Sequence, residues 1–383
     1  MRRSMLIGIV LLGCLVLSPL VSMAAQTSLY ERSTLATVIA ARGTAVQSTT
    51  SAGSPVNGFV MLAESVILLG KVESGAWWWA ETSAGYGYIR ASDVQPAGDI
   101  TRLPEVGDDL AAVVLPPELP VDDATKYPIL PELTDYSRTI WERGQKFGLR
   151  ADVFTKVGDC LTSDKYKFLG RFGSDGYDLG EYAYLQEVVT YYQQTPPREG
   201  QPNSFWNESI AAYKGFNAAS VLDPLWQMTA LCPPEDSPLA CEYRLTKPAL
   251  AIIMFGANDI NTLTPAQFDF YLRVVVHQTI DRGILPLLST FPGNPRSDGR
   301  SHQFNQIVYQ IARDYDVPIM NLWLALQPLP DHGRERDTVY MTSTPQTHVS
   351  YFTPEHLKYG YTMRNLVTLE ALDLVWRELI HGD

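Results

Sequence analysis

The sequence predicts an α/β protein, with a parallel β-sheet between two layers of helices and a small all-β module before it. Strand-like segments separated by turn residues fill positions 34–95. From residue 132 onward, apolar strand-like segments alternate with helix-like segments, which is typical of a parallel sheet. The chain has 383 residues, 45% of them apolar, so it is long and apolar enough to form two packed cores.

Residues 1–25 have the pattern of a secretory signal peptide. Two arginines precede an apolar stretch, 5–21, and small residues follow it, which places the cleavage near Ala24 or Ala25. We therefore expect an extracytoplasmic protein, either secreted or attached to the cell surface. Two alternatives are an uncleaved membrane anchor and a lipoprotein attached through Cys14.

Three cysteines follow the predicted signal. Cys232 and Cys241 enclose eight residues, and in an exported protein this spacing favours a disulfide that closes a short surface loop. Cys160 then remains as an unpaired thiol. Because the chain has no C-x-x-C pair, the cysteine spacing predicts no zinc site.

The predicted all-β module occupies residues 34–95. Its predicted strands are 36–40, 60–62, 65–71, 77–81 and 87–89. A Trp77-Trp78-Trp79 strand precedes Gly85-Tyr86-Gly87-Tyr88-Ile89, and this order resembles the bacterial Src-homology-three (SH3) domain. The resemblance implies a small barrel with the cell wall as a candidate partner, while a spacer role is the alternative. Alternation along the strand predicts that at least one of the three tryptophan rings faces solvent.

Residues 96–131 separate the two predicted domains. Seven prolines remove backbone donors there, and acidic side chains repel one another. The stretch is therefore predicted to be an extended, semi-stiff linker, and residues 132–383 to form the second domain. In that domain we predict strands at 152–157, 249–255, 284–291 and 317–322, and helices at 138–147, 268–282, 304–315 and 361–380.

Polar segments follow three of these strands, at the edge of a parallel sheet where ligands bind. They are Gly-Asp-Cys-Leu at 158–161, Gly-Ala-Asn-Asp at 256–259 and Asp-Thr-Val-Tyr at 337–340. Their order resembles the motifs of the SGNH, or GDSL, hydrolase family: G-D-S-[LI], a glycine in a second block, G-x-N-D and D-x-x-H. The resemblance covers roughly residues 150–380 and implies a flavodoxin-like three-layer fold.

The family resemblance also implies a mechanism of acyl transfer to a serine. A histidine removes the serine proton, and an aspartate orients the histidine. Carried over to this chain, the oxyanion hole would consist of the backbone N–H groups of Cys160 and Gly215 and the side chain of Asn258. This mechanism requires neither a cofactor nor a metal.

Two catalytic positions depart from the family pattern. Cys160 stands in place of the serine, and Tyr340, three residues after Asp337, stands in place of the histidine. Tyrosine, with a pKa of about 10, is protonated at neutral pH and is not a general base. Loss of the base lowers turnover by a factor on the order of 10⁴–10⁶. His348 is the candidate substitute base; the alternative is that it is an ordinary surface-loop histidine.

Two functions follow from these observations. The first is an exported SGNH-type hydrolase of a small-molecule or polysaccharide ester, with activity reduced or lost. The second is a non-catalytic protein of the same fold that binds a carbohydrate or a cell-envelope ligand. A histidine within about 3–4 Å of Cys160 would favour the first. Nucleic acid is not an expected partner, because 30 basic and 42 acidic residues give a net charge of −12.

Overall fold

A computed structural model describes residues 29–72, 74–108 and 124–382. The predicted signal peptide with Cys14, and residues 109–123 of the predicted linker, lie outside the described residues. Within these ranges the chain forms an antiparallel sheet and then a parallel sheet packed with helices. None of the described helices combines the length and the apolar character needed to cross a membrane.

The antiparallel sheet covers residues 34–106. Its described strands are β1 (Thr34–Val38), β2 (Thr44–Gln47), β3 (Val56–Val60), β4 (Ser65–Val72), β5 (Trp77–Thr82), β6 (Gly85–Arg90), β7 (Val94–Pro96) and β8 (Glu105–Val106). The strand order is β3-β2-β6-β5-β4-β1-β7, and β8 pairs with β4 in parallel. The strand β2 was not anticipated from the sequence. Residues 96–106, which the sequence placed in the linker, stay on this sheet through β7 and β8.

The parallel sheet and its helices follow from residue 135. Its strands are β9 (Arg150–Gly158), β10 (Pro248–Met254), β11 (Leu285–Ser289) and β12 (Ile319–Met320). The described helices are α1 (Asp135–Lys146), α2 (Cys160–Ser163), α3 (Gln186–Gln193), α4 (Pro238–Thr246), α5 (Asp259–Thr262), α6 (Pro265–Asp281), α7 (Asp298–Asp314), α8 (Leu322–Leu326) and α9 (Gly360–Val375). The predicted fold class, a parallel sheet with helices on both faces and an all-β region before it, is confirmed.

The order of the parallel strands locates the site. The strands lie in the order β9-β10-β11-β12, and an isolated parallel bridge joins Gly158 to Ala212. The chain therefore leaves β9 toward Ala212 and returns to form β10 beside β9. In sheets of this kind, ligands bind where the strand order reverses, beyond the carboxyl ends of the strands. Here that point lies between the ends of β9 and β10.

Some predicted boundaries differ from the structure. The predicted strand 317–322 is shortened to Ile319–Met320, because Asn321 caps the helix that starts at Leu322. The predicted helix 304–315 begins six residues earlier, at Asp298. The closing helix ends at Val375 and continues as a π-helical turn over Trp376–His381.

The two faces of the antiparallel sheet pack against different cores. One face, with Trp78, covers a small core of its own, and the other face, with Trp79, joins the core of the α/β region. Each of these two side chains is only 8% exposed, whereas Trp77 is half-buried. Alternation alone would have buried Trp78 or the Trp77/Trp79 pair, but not both Trp78 and Trp79. Both are buried because the α/β region covers the second face of the strand, and Trp77 keeps partial exposure.

A buried arginine joins the antiparallel sheet to helices α6 and α7. The guanidinium of Arg273 is fully buried, 2.8 Å from Asp314 and 3.1 Å from Asp269. It lies 3.9 Å from Glu81 of β5 and 3.9 Å from the ring centre of Tyr30, whose hydroxyl donates to Glu81 at 2.6 Å. Because a buried charge is tolerated only when it is paired, these contacts hold the two regions together.

Candidate functional site

The site lies where two loops leave the carboxyl ends of β9 and β10. After β9, Asp159 caps the short helix α2 by accepting a hydrogen bond from the Leu161 N–H at 2.9 Å, and this places Cys160 at the start of that helix. After β10, the buried carboxylate of Asp259 accepts from the N–H groups of Gly256 at 2.8 Å and Ala218 at 2.7 Å. Both aspartates therefore accept hydrogen bonds from backbone N–H groups and hold in place the loops that carry the candidate residues.

Cys160 and Tyr340 are direct partners. The phenol of Tyr340 and the half-buried free thiol of Cys160 are close enough for a hydrogen bond between them to shift the pKa of each. Burial raises the pKa of Cys160 to about 11, and the neighbouring Asp159 adds to this rise, while the Tyr340 hydrogen bond opposes it. The pKa of Tyr340 is also raised, first by the charge that Cys160 would carry and then by burial. Both groups are therefore protonated at neutral pH.

Asp337 does not orient Tyr340. Its backbone has a φ of 60°, and its side chain is 68% exposed and paired with Arg296 at 3.3 Å. The backbone N–H of Tyr340 is instead bonded to the Thr338 hydroxyl at 3.0 Å. Among the described residues, the Asp337 carboxylate is therefore paired with Arg296 and makes no hydrogen bond to Tyr340.

The contacts of His348 are with residues of its own loop. Its ring stacks on Tyr351, with 4.6 Å between the ring centres and 5° between the planes. All six histidines of the chain lie within the described residues, and each has its contacts elsewhere. Their partners are, in chain order, Ser33 and Asp281 for His277, Gln306 and Trp323 for His302, the Gln327 carbonyl for His332, Tyr351 for His348, Thr353 for His356 and Trp376 for His381. No contact between a histidine and Cys160 is found among the described residues, so the role of His348 as a substitute base stays a prediction.

The predicted oxyanion-hole residues come to the same edge of the sheet. The Tyr213 N–H donates to the Gly158 carbonyl at 3.2 Å, so the loop that carries Gly215 runs beside the end of β9. The Asn258 amide donates to the Phe216 carbonyl at 2.8 Å and ties that loop to the end of β10. Gly215 has a φ of 93°, a conformation that favours glycine. Cys160, Gly215 and Asn258 thus lie in loops at the same edge of the sheet, beyond the carboxyl ends of β9 and β10.

Three residues at this edge were not identified from the sequence. The buried guanidinium of Arg364 donates to the Leu161 carbonyl at 2.6 Å and to the Thr162 hydroxyl at 3.0 Å, so it holds α2 in place. Burial lowers the pKa of Arg364 to about 10, which leaves it charged at neutral pH. Tyr361 is a buried neighbour, and its hydroxyl has no hydrogen-bond partner among the described residues.

Lys167 is the third of these residues. Its ammonium lies 5.5 Å from the ring centre of Tyr340 and 5.1 Å from that of Tyr361, within the range of cation–π contacts. The i, i+3 spacing of Tyr361 and Arg364 at the start of α9 could have indicated a shared helix face. The sequence carries no comparable signal for Lys167.

The two remaining described cysteines, Cys232 and Cys241, are joined in a disulfide, with their Cα atoms 5.8 Å apart. Within the described residues, no group of three or more His, Cys, Asp or Glu side chains is arranged to hold a metal ion.

Comparisons with known proteins find distant structural likeness only. No protein-family model matches the sequence, and no curated protein matches it. The psychrotrophic esterase EstA from Pseudoalteromonas sp. is similar at 13% identity and a TM-score of 0.36, over 58% of this chain and 97% of that one. A lipase/acylhydrolase from Enterococcus faecalis matches at 15% identity and a TM-score of 0.34, over 57% of this chain and 93% of that one. The acetylxylan esterase Axe2 from Geobacillus stearothermophilus matches at 17% identity and a TM-score of 0.34, over 57% of this chain and 93% of that one.

Proposed function

We propose that this chain is an exported protein of the SGNH/GDSL type that binds an ester-bearing ligand around Cys160 without hydrolysing it. The ligand would be a small-molecule or polysaccharide ester. One observation carries the proposal: the group that contacts the thiol is the phenol of Tyr340, at the position where the family places its general base.

The chemistry of the pair opposes nucleophilic attack. Attack on an ester carbonyl requires a thiolate, and the pKa of about 11 at Cys160 leaves very little thiolate at neutral pH. Tyr340 cannot remove the proton, because its own pKa is raised and its phenol is protonated at neutral pH. The third member of the catalytic set, Asp337, faces Arg296 instead.

Three groups at this edge support the binding of an ester carbonyl. The backbone N–H of Cys160 lies at the first turn of α2, where helical N–H groups lack intrahelical partners. The Gly215 loop and the Asn258 side chain lie at the same edge. A carbonyl oxygen placed between such donors is recognised whether or not a nucleophile attacks it.

The test measures binding and hydrolysis in one sample. Acetylated xylo-oligosaccharides are titrated into the full chain by calorimetry, and acetate release is followed by NMR. We expect saturable binding that Asn258→Ala weakens, with acetate release equal to that of buffer. Acetate release that disappears in Cys160→Ala would show a hydrolase, and absence of binding would overturn the binding role.

A further inference from the structure

A cleft between the antiparallel sheet and the α/β region has the properties of a ligand site. It encloses about 450 Å³, within the usual range for small-molecule sites, and such sites are frequent at the junction of two domains. The turn between β3 and β4, with Leu62 and Glu64, forms one wall. The segment 217–226 and Tyr271 of α6 form the other wall.

The two walls are fixed relative to one another. Tyr271 is two residues from Arg273, whose buried guanidinium joins α6 to the antiparallel sheet. Glu64 lies directly before β4, whose inward face is part of the core shared with the α/β region. The cleft is therefore built into the fold, and a ligand does not have to order its walls.

Two carboxylates face the cleft with unused hydrogen-bonding capacity. Glu64 accepts from the Met61 N–H and from the Ser83 hydroxyl through Oε2, and Asp223 accepts from the Leu225 N–H through Oδ1. Among the described residues, the second oxygen of each carboxylate has no hydrogen-bond partner. The pKa of the Tyr271 phenol is raised, chiefly by burial and further by the negative charges of Glu64 and Asp223. All three groups therefore converge on one space.

An aromatic side chain completes the cleft. Trp226 lines it and is 41% exposed, although its ring is held edge-on to the buried Phe216, with 6.1 Å between the ring centres. A ring that is both positioned and exposed offers a flat apolar surface to a ligand.

We propose that this cleft binds a short, uncharged or amine-bearing oligosaccharide. The aromatic face of Trp226 matches the apolar C–H face of a sugar ring, and sugar hydroxyls can donate to the free oxygens of Glu64 and Asp223. An anionic ligand is disfavoured, because the lining residues include two carboxylates and, among those described, no Lys, Arg or His. An acyl chain is disfavoured because it would cover the carboxylates without pairing them.

The cleft lies next to the candidate site in sequence. One loop carries Gly215, at the edge around Cys160, and Asn217, which lines the cleft. A polymer held in the cleft would therefore present neighbouring residues to that edge. The inference does not depend on the proposed loss of hydrolysis, because none of the lining residues belongs to the set around Cys160.

The test titrates the full chain with triacetylchitotriose, xylotriose and trigalacturonate by calorimetry and by tryptophan fluorescence. We expect at least one of the two uncharged trisaccharides to bind and trigalacturonate not to bind. Trp226→Ala and the double variant Glu64→Gln/Asp223→Asn should each weaken binding at least tenfold.

The matched controls are Leu231→Ala and Glu105→Gln. Leu231 is an exposed apolar residue five positions after Trp226, and Glu105 is an exposed glutamate of the antiparallel sheet. Both should bind like the unmodified chain. Phosphatidylcholine vesicles are titrated in parallel, to test whether the chain prefers a lipid surface to the trisaccharides. Absence of trisaccharide binding, binding unaffected by the cleft variants, or a preference for trigalacturonate or vesicles would overturn the proposal.

Discussion

The phenol of Tyr340 and the thiol of Cys160 are neighbours that each shift the pKa of the other, and both stay protonated at neutral pH, so neither supplies a base. In the family that the sequence resembles, these positions hold a histidine and a serine. The replacement puts a protonated phenol where the family has a base. This loss of the base is the physical basis of the proposed loss of hydrolysis.

The reactivity of Cys160 toward iodoacetamide should follow from this pair. Because burial raises its pKa to about 11, alkylation at pH 7.5 should be at least about tenfold slower than for free cysteine, and should still accelerate at pH 10. Mass spectrometry of the peptide that contains Cys160 measures the rate.

Substitutions at Tyr340 provide the comparison for this measurement. Tyr340→Phe removes the donor that lowers the pKa of Cys160, so alkylation should slow further. Tyr340→His introduces a base beside the thiol and should accelerate alkylation. A wild-type rate equal to that of free cysteine would contradict the protonated thiol.

The buried Asp159 should lower stability in a pH-dependent way. Burial raises its folded-state pKa to about 7, while the unfolded value is about 3.9, so between these values the folded state holds a proton that the unfolded state has lost. Stability therefore falls as the pH rises from about 4 to about 7, and the loss is complete above pH 7.

Asp159→Asn should remove this loss while keeping an acceptor for the Leu161 N–H. We expect a gain in unfolding free energy on the order of 1–3 kcal/mol at pH 8 that fades toward pH 4, measured by urea denaturation. The exposed Asp337 gives the control: Asp337→Asn should change stability by less than about 0.5 kcal/mol. A gain for Asp159→Asn that is equal at pH 4 and pH 8 would contradict the assigned cause.

Arg273 should be essential to the attachment of the antiparallel sheet. Arg273→Met leaves the carboxylates of Asp269 and Asp314 without their buried cation and removes the contact with Glu81, so it should cost about 3–5 kcal/mol in urea unfolding. Arg244→Met breaks the exposed pair with Asp236, at 2.9 Å, and should cost no more than about 1 kcal/mol. Equal costs for the two variants would show that the buried contacts do not join the regions.

The fold and the edge around Cys160 were largely predictable from sequence. The strand β10 is an uninterrupted apolar run, and the structure buries all seven of its residues in the centre of the sheet. The same logic placed Cys160 and Asn258 after neighbouring strands, where loops of a parallel sheet converge.

The directions of individual side chains were not predictable. Three-residue spacing between Asp337 and Tyr340 matched a family motif, but a left-handed residue in the loop turns the carboxylate toward Arg296. Likewise, the burial of Trp79 depends on the α/β region, which begins more than 50 residues farther along the chain. Periodicity within one strand carries no information on such distant contacts.

The central claim is tested most directly by hydrolysis of p-nitrophenyl acetate. The full chain, Cys160→Ala and the double variant Cys160→Ser/Tyr340→His are compared under the same conditions. The account predicts that the wild-type rate equals that of Cys160→Ala, and that the double variant, which restores both a nucleophile and a base, exceeds both. A wild-type rate clearly above that of Cys160→Ala would show that Cys160 is a working nucleophile, and would contradict the account.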